Sequence, residues 1–416
     1  MKPVRNLAAR HGFDAQGAFH NLALTLADGR IAALGTAAEA EDTVVLPALA
    51  NAHDHARPLR PSSIGGFNKP LETWLHRLAL LAPVDPYLAT VAPLARAALG
   101  GQGAVMIHHV RPMGLTDYPT EAAAMARAAR DVGVRIALGV GLRDRNPLVY
   151  GDHGPVLDAL APEARAEIEA RFLGPMLPLA EQLARVEAVA EAVGGPMVDV
   201  QYAPNGPQWG SDALWEAVAE ASARTGRRVT THLFETQYQR DWADRTYPGG
   251  LVRRWREIGL LSPRLTLAHC VHARPDELEM IAEAGCVVAV NTSSNLALRS
   301  GIAPVAEMVR RGCRVALGID GRPSTRTTTP CASCACSGRC MAAGASTPRS
   351  PRARPWRWPS RPAASRSARR RAGGSPRGAP PTSWCSTARR STRTAWRRSI
   401  PSICCSPAPP SAMSGS

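Results

Sequence analysis

Short apolar runs and longer amphipathic stretches alternate along this chain from about residue 44 to residue 320. The runs read VVLPALANAH (44–53), GAVMIHH (103–109), VRIALGVGL (134–142), MVDVQYAP (197–204), RRVTTHLFE (227–235), RLTLAHC (264–270), CVVAVN (286–291) and CRVALGID (313–320). Their length and β-branched content predict eight buried strands. Between them, TEAAAMARAARDVG and SDALWEAVAEASARTG carry polar N-caps and glycine stops, and RPDELEMIAEAG puts Leu278, Ile281 and Ala282 on one helical face. Eight buried strands alternating with helices predict an α/β fold of the (β/α)8 TIM-type barrel class. An open doubly wound sheet gives the same alternation, but no GxGxxG follows the first strand. Ahead of the barrel, FHNLALTLADGRIAALG reads as a strand, a turn at Asp28-Gly29 and a second strand. The expected organisation is therefore residues 1–45 as strands of a small β-sandwich, 46–322 as the barrel, and 323–416 as a tail.

Composition changes the picture at that last boundary. The 416 residues carry a net charge of +16, yet all 34 acidic residues lie in the first 322. Residues 323–416 hold 17 Arg and no acid, so the high isoelectric point describes the tail, and a basic enzyme surface is excluded. The tail also lacks Leu, Val, Phe and Tyr, too little apolar surface to offset the entropy of ordering it, so it is expected to be disordered. The first residues, MKPVRNLAARHGFDAQG, show no apolar signal core, and no run approaches a membrane span. With only Cys270, Cys286 and Cys313 in the body, the expected setting is the cytoplasm.

Active sites of such barrels lie where the strands end. The polar residues there are His53 and His55, His108 and His109, Arg143 and Asp144, Asn205, His232 and Glu235, His269 and His272, Asn291 and Asn295, and Asp320. Seven of the eleven histidines stand at such ends. Alternation along a strand puts His53 and His55 on one side, where they can chelate one metal, and His232, His269 and Asp320 converge from other strands. Imidazoles with a carboxylate suit Zn2+ or Fe2+ and leave a position for water, whose proton is lost near neutral pH. Glu235, three residues past His232, lies within reach of that water or of a substrate nitrogen. Singly, the HxH pair reads equally as polar pairing, His269 as a core histidine and Asp320 as a helix cap; their convergence argues for a site. His108-His109 reads as pocket lining or as packing, and Cys270 as a small buried filler.

These residues resemble the metal-dependent amidohydrolases, in their deaminase branch. LPALANAHDH is similar to the NxHxH opening of that family, THLFET to its HLAET segment, and LAHCVHARPDELEMIAEAGCVVAVNTSSNLALRSGIAPVAEMVRRGCRVALGIDG to its sixth to eighth strands. The resemblance covers roughly residues 18–321, with Ala48 in place of a usual Gly and Thr230 in place of a frequent His. It implies one divalent metal held by His53, His55, His232 and Asp320, and hydrolytic deamination of an amino-substituted heteroaromatic ring. It further implies that His269 orients the water or the developing oxygen, with contact to the metal itself left open, that Glu235 shuttles a proton to the ring, and that Asp320 takes the proton of the water. The only lysines are Lys2 and Lys69, neither at a strand end, which disfavours a lysine-bridged dinuclear site. Candidate substrate contacts are Trp74, His109, Arg143, Asn205, Gln208, Trp209, His272 and Asn295. Trp209 reads equally as a stacking surface or as loop packing. A triazine-type hydrolase releasing chloride or alkylamine is the alternative within the fold. The expected partner is a small heterocycle; a membrane is not expected, and a homo-oligomer is left open.

The tail admits three readings. Its arginines, with Trp356 and Trp358, suit a nucleic-acid arm, the non-enzymatic alternative. Cys331, Cys334, Cys336 and Cys340 suit a metal, without the paired knuckles of common zinc sites. The third reading is an out-of-frame segment. Shifting GC-rich codons by one base permits FDEDDDPLRELRLLW from PSTRTTTPCASCACSG, and PADLVVLDGAALDEDGM from PPTSWCSTARRSTRTAW, each one of several outcomes that codon degeneracy allows. One shift thus restores an acidic helix and a strand-like ADLVVLD, which favours this reading over nucleic-acid binding.

Overall fold

The computed structural model describes residues 4–14, 17–58, 69–78, 81–110, 112–145 and 148–321. The readings made for residues 323–416, including its cysteines and tryptophans, and for Lys2, lie outside the described residues. Within them the chain forms two units, one ending at Pro47 and one beginning at Ala48. No helix among the described residues is long and apolar enough to cross a membrane.

The first unit is a four-stranded sheet in the order β3-β2-β1-β4. β1 (Arg5–Phe13) and β2 (Ala18–Ala27) are antiparallel, as are β2 and β3 (Arg30–Thr36), while β4 (Glu41–Val45) runs parallel to β1. The predicted hairpin turn is present, and both Asp28 (φ 49°) and Gly29 (φ 72°) adopt the left-handed conformation that a tight two-residue turn requires. Ala9, Leu22, Leu24 and Val45 form its small core.

The second unit is an eight-stranded parallel barrel with its strands in chain order. It starts with β5 (Leu49–Asp54), then α1 (Leu71–Leu78), α2 (Pro86–Leu99), β6 (Gln102–His109), α3 (Tyr118–Val132) and β7 (Arg135–Leu142). Next come α4 (Gly154–Asp158), α5 (Pro162–Phe172), α6 (Leu179–Val193), β8 (Val198–Pro204), α7 (Asp212–Thr225) and β9 (Val229–Leu233). α8 (Gln237–Thr246), α9 (Leu251–Glu257), β10 (Leu265–His269), α10 (Pro275–Glu283) and β11 (Val287–Val290) follow. The described part ends with α11 (Thr292–Ala297), α12 (Val305–Arg310) and β12 (Arg314–Leu317). All eight predicted strands are present. One run is divided, however: in VVLPALANAH, Val44 and Val45 belong to β4 of the first unit. Pro47, which has no N–H for a ladder, separates them from β5.

The helices take the form their sequences call for. Asp117 caps α3 by accepting the N–H of Thr120, and Gly133 ends it at φ 78°; Ser211 and Gly226 do the same for α7. Ala122, Ala126 and Ala129 of α3 are fully buried and let that helix lie close on the strands. Trp215 of α7 meets Trp255 of α9 at 4.7 Å between ring centroids. Burying side chains of this size contributes about 2–3 kcal/mol each. The barrel closes after β12, where the N–H groups of Ile319 and Asp320 donate to the carbonyl of His53 at 3.1 and 2.9 Å. Closure and candidate site are therefore built from the same residues.

Candidate active site

His53 is the last inward residue of β5 and is fully buried. Just beyond it, Asp54 Oδ1 accepts the N–H groups of His55 and Ala56, both at 2.8 Å, while Asn51 Nδ2 holds Asp54 Oδ2 at 2.7 Å. This turns the backbone at Ala56 (φ 47°) and sets His55 past the strand end. His232 is the inward residue near the end of β9, and His269 ends β10. Asp320 follows β12 at φ 57°, and His269 itself sits at φ 74°. With Ala56, Phe234 and Cys270, these are five left-handed non-glycine residues at strand ends, a strained backbone that packing must hold in place.

The side chains converge as expected. Asp320 Oδ1 lies 3.2 Å from His55 Nε2 and 3.6 Å from His53 Nε2. His269 Nε2 lies 3.5 Å from Glu235 Oε2 and 4.0 Å from Asp320 Oδ2. Three overlapping sets, His53-His55-Asp320, His53-His232-His269 and Glu235-His269-Asp320, each bring their ligand atoms within 4.8 Å of one another. Burial keeps the imidazoles neutral: it lowers His53 to about 4 and pulls His55, His108 and His232 down as well. Burial acts on Asp320 in the opposite sense, but the neighbouring His53 and His55 outweigh it and hold the carboxyl well below the usual carboxylate range. Glu235 is raised by burial to about 7; His269 opposes this, and Asp320 and Glu72 add to it.

The tautomers follow from the carbonyls around them. His55 Nδ1 lies 2.7 Å from the carbonyl of His108, and His232 Nδ1 2.5 Å from that of Asn205. A carbonyl only accepts, so each Nδ1 carries the proton and each Nε2 presents a lone pair. Those two Nε2 atoms face each other at 3.3 Å. Two lone pairs at that separation repel unless a cation lies between them. His53 leaves both ring nitrogens buried without a hydrogen-bond partner among the described residues.

Several of the surrounding groups were not singled out in the sequence. Ser294 Oγ donates to Asp320 Oδ2 at 2.5 Å. Arg57 donates to the Asp320 carbonyl at 3.3 Å and lies 4.9 Å over the Trp74 ring. His108, left open above, is inside the site: its ring stacks on His232 at 4.6 Å. His109 points away, its Nε2 2.9 Å from Glu121 Oε1 on α3. The signal was parity. His109 shares its side of β6 with Val105 and Ile107, which pack in the main hydrophobic core, whereas His108 shares its side with Met106 at the barrel interior.

A cavity of about 250 Å3 opens over the cluster, lined by His55, Arg57, Trp74, Arg143, Asn205, Trp209, His232, Glu235 and Asp320, with Leu71, Phe172 and Leu298 among its apolar walls. Four of the eight candidate substrate contacts are thus in place: Trp74, Arg143, Asn205 and Trp209. The other four are not among its lining residues. His109 is paired with Glu121, and His272 Nε2 lies 2.8 Å from the carbonyl of Ser300. Asn295 Oδ1 accepts from His269 Nδ1 at 2.7 Å and so orients that ring. Gln208 is buried, with both amide atoms lacking a partner.

A model of the amidohydrolase family matches residues 44–349. The 8-oxoguanine deaminase of Pseudomonas aeruginosa is 30% identical over 330 residues, 76% of this chain and 69% of that protein. The 5-methylthioadenosine/S-adenosylhomocysteine deaminase of Dictyoglomus thermophilum is 26% identical over 293 residues, 69% of this chain and 59% of the relative. Similar solved structures include an adenosine deaminase from Xanthomonas campestris with bound zinc, at TM-score 0.65 and 20% identity over 81% of this chain and 74% of that one. An atrazine chlorohydrolase from Arthrobacter aurescens complexed with zinc gives 0.59 and 21%, over 76% and 71%.

Proposed function

The chain belongs to the amidohydrolase family, and from that premise we propose that it hydrolytically deaminates an amino-substituted heteroaromatic ring at a single divalent metal. The observation that carries this reading is the pair of facing lone pairs on His55 and His232. His53, His55, His232 and Asp320 would hold the metal, which is zinc or ferrous iron; three neutral imidazoles and one carboxylate fit either. The deaminase relatives support the reaction, and the zinc in the similar structures supports a divalent metal. Lys69 precedes α1, far in sequence from any strand end, which supports one metal over a lysine-bridged pair. Bound there, such a metal polarises water and brings its proton loss near neutral pH.

The rest of the chemistry belongs to the side chains. Glu235, raised to about 7, is protonated in part at neutral pH, and in that form it can give its proton to a ring nitrogen as water adds to the amino-bearing carbon. Asp320, kept ionised, can accept the proton that the water gives up. His269, fixed by Asn295, turns Nε2 between Glu235 and Asp320, where it can hydrogen-bond the incoming oxygen. Trp74, Trp209 and Phe172 supply flat walls for a ring. Asp320 then passes its proton to the amino group and Glu235 recovers one from the added hydroxyl, so that the carbon–nitrogen bond breaks, the ring keeps the oxygen as a carbonyl, and ammonia leaves. The buried free thiols of Cys270, Cys286 and Cys313 suit a reducing cytoplasm.

The direct test measures metal content of the full chain and ammonia release across 8-oxoguanine, guanine, adenosine, 5-methylthioadenosine and aminotriazines. One equivalent of metal with ammonia from at least one ring supports the proposal. Chloride or alkylamine released from a triazine, with no ammonia from any ring, replaces it with the triazine hydrolase reading.

A further inference from the structure

A second cavity, of about 310 Å3, adjoins the first and shares Val110, Arg143 and Asn205 with it. Among the described residues its wall holds two guanidinium groups, Arg143 and Arg185, and no Asp or Glu. Arg143 is set by its own backbone: the buried Gln182 side chain accepts its N–H at 3.0 Å and donates to its carbonyl at 2.9 Å. With the main chain clamped in this way, the guanidinium of Arg143 meets no hydrogen-bond or ion-pair partner among the described residues. Only burial acts on it, pulling its pKa down with no acid opposing. Arg185 is fixed from α6, its guanidinium 4.7 Å over the Tyr118 ring and its Nη2 donating to the Gly141 carbonyl at 3.0 Å. Its Nε is buried without a partner. Glu121, the ion-pair partner of the wall residue His109, is engaged with that imidazole and with the N–H of Met113.

Holding two partly desolvated cations without a counter-charge is unfavourable unless a ligand supplies one. Guanidinium groups presenting free N–H donors match a carboxylate in shape as well as charge. We propose that this chamber receives a carboxylate carried on a side arm of the substrate, whose ring occupies the metal cavity and whose arm passes Arg143 and Asn205. The placement of the ring rests on the deamination reading; the charge argument for the chamber does not. The substrate class is then an amino-heterocycle bearing an acidic substituent, and Arg143 and Arg185 determine specificity.

The test compares matched neutral and acidic probes, pterin with pterin-6-carboxylate and adenosine with adenosine-5′-carboxylate, on the metal-loaded full chain. Two readouts are taken, kcat/KM for ammonia release and the rise in melting temperature on adding each probe. For whichever ring reacts, the acidic member should be favoured at least tenfold. That ratio should fall toward one in Arg143→Gln and in Arg185→Gln, and be partly kept in Arg143→Lys. If no ring releases ammonia, the deamination reading fails, and the melting shifts decide the chamber alone. They should be larger for acidic probes in the parent and equal for both in the Arg143→Gln, Arg185→Gln double variant. Equal ratios and equal shifts for acidic and neutral probes in the parent overturn the proposal, as does a preference that survives both substitutions.

Discussion

The N–H of Asp320 donates to the carbonyl of His53 at 2.9 Å, so one of the bonds that close the barrel joins two of the proposed metal ligands. Occupancy of the site and integrity of the barrel are therefore coupled. A metal that binds only the folded state stabilises it by about 3–4 kcal/mol at 100 to 1,000 times its dissociation constant. Chelation should lower the melting temperature, and zinc or ferrous iron should restore it. An unchanged melting temperature after verified metal removal would show that these residues do not hold a metal.

Glu235→Gln separates chemistry from binding. Glu235 belongs to none of the proposed ligand positions, so metal content should stay at the parental level. Turnover should fall ~100-fold or more, the usual scale for loss of a general acid–base group. A variant that turns over as fast as the parent removes Glu235 from the mechanism.

Ser294→Ala removes the hydroxyl that holds Asp320 Oδ2. Groups that orient a ligand in this way contribute ~10–100-fold in metal affinity or activity. The affinity measured by chelator competition should drop by that factor, with little change in the far-UV spectrum. Parental affinity would show that Asp320 is set by its backbone alone.

The eight strands could be read from apolar runs of strand length, and the site from histidines standing where those runs stop. What escaped depends on backbone direction. Ala56 and Asp320 adopt left-handed φ values that ordinary residues rarely take, and these turns bring Arg57 and Ser294 to Asp320; no periodicity encodes that. Asn295 stands just past a strand end, where a substrate contact is expected, and the structure adds a bond from His269 Nδ1 to its Oδ1 that no periodicity encodes. His108 and His109 were separable by strand parity, which compares them with Met106 and Ile107.

The out-of-frame reading of residues 323–416 also has a consequence in the barrel. β12 is only partly buried, whereas β9 is buried throughout and β10 and β11 nearly so. An amphipathic segment such as FDEDDDPLRELRLLW after Gly321 would offer that strand a cover. A chain with the frame restored should melt several degrees higher and elute as a single species. Equal melting temperatures for the two chains would refute the reading.

The pH dependence of the metal-free protein tests the environment of Glu235. Burial lifts this carboxyl from 4.5 to about 7, so between those values the folded state binds its proton more tightly than the unfolded state. Stability then falls as pH rises through the window, by about 3 kcal/mol in total. His53 works in the other direction. Lowered from 6.5 to about 4, it contributes stability at neutral pH that is lost as pH falls through that range. The His53 contribution is common to parent and Glu235→Gln and largely cancels when they are compared. Without metal, Glu235→Gln should therefore be more stable than the parent at pH 8, and the difference should close as pH approaches 4.5. Urea unfolding of both proteins at pH 5 and pH 8 measures this directly. A difference that does not grow with pH would mean that Glu235 is not a buried, proton-holding group.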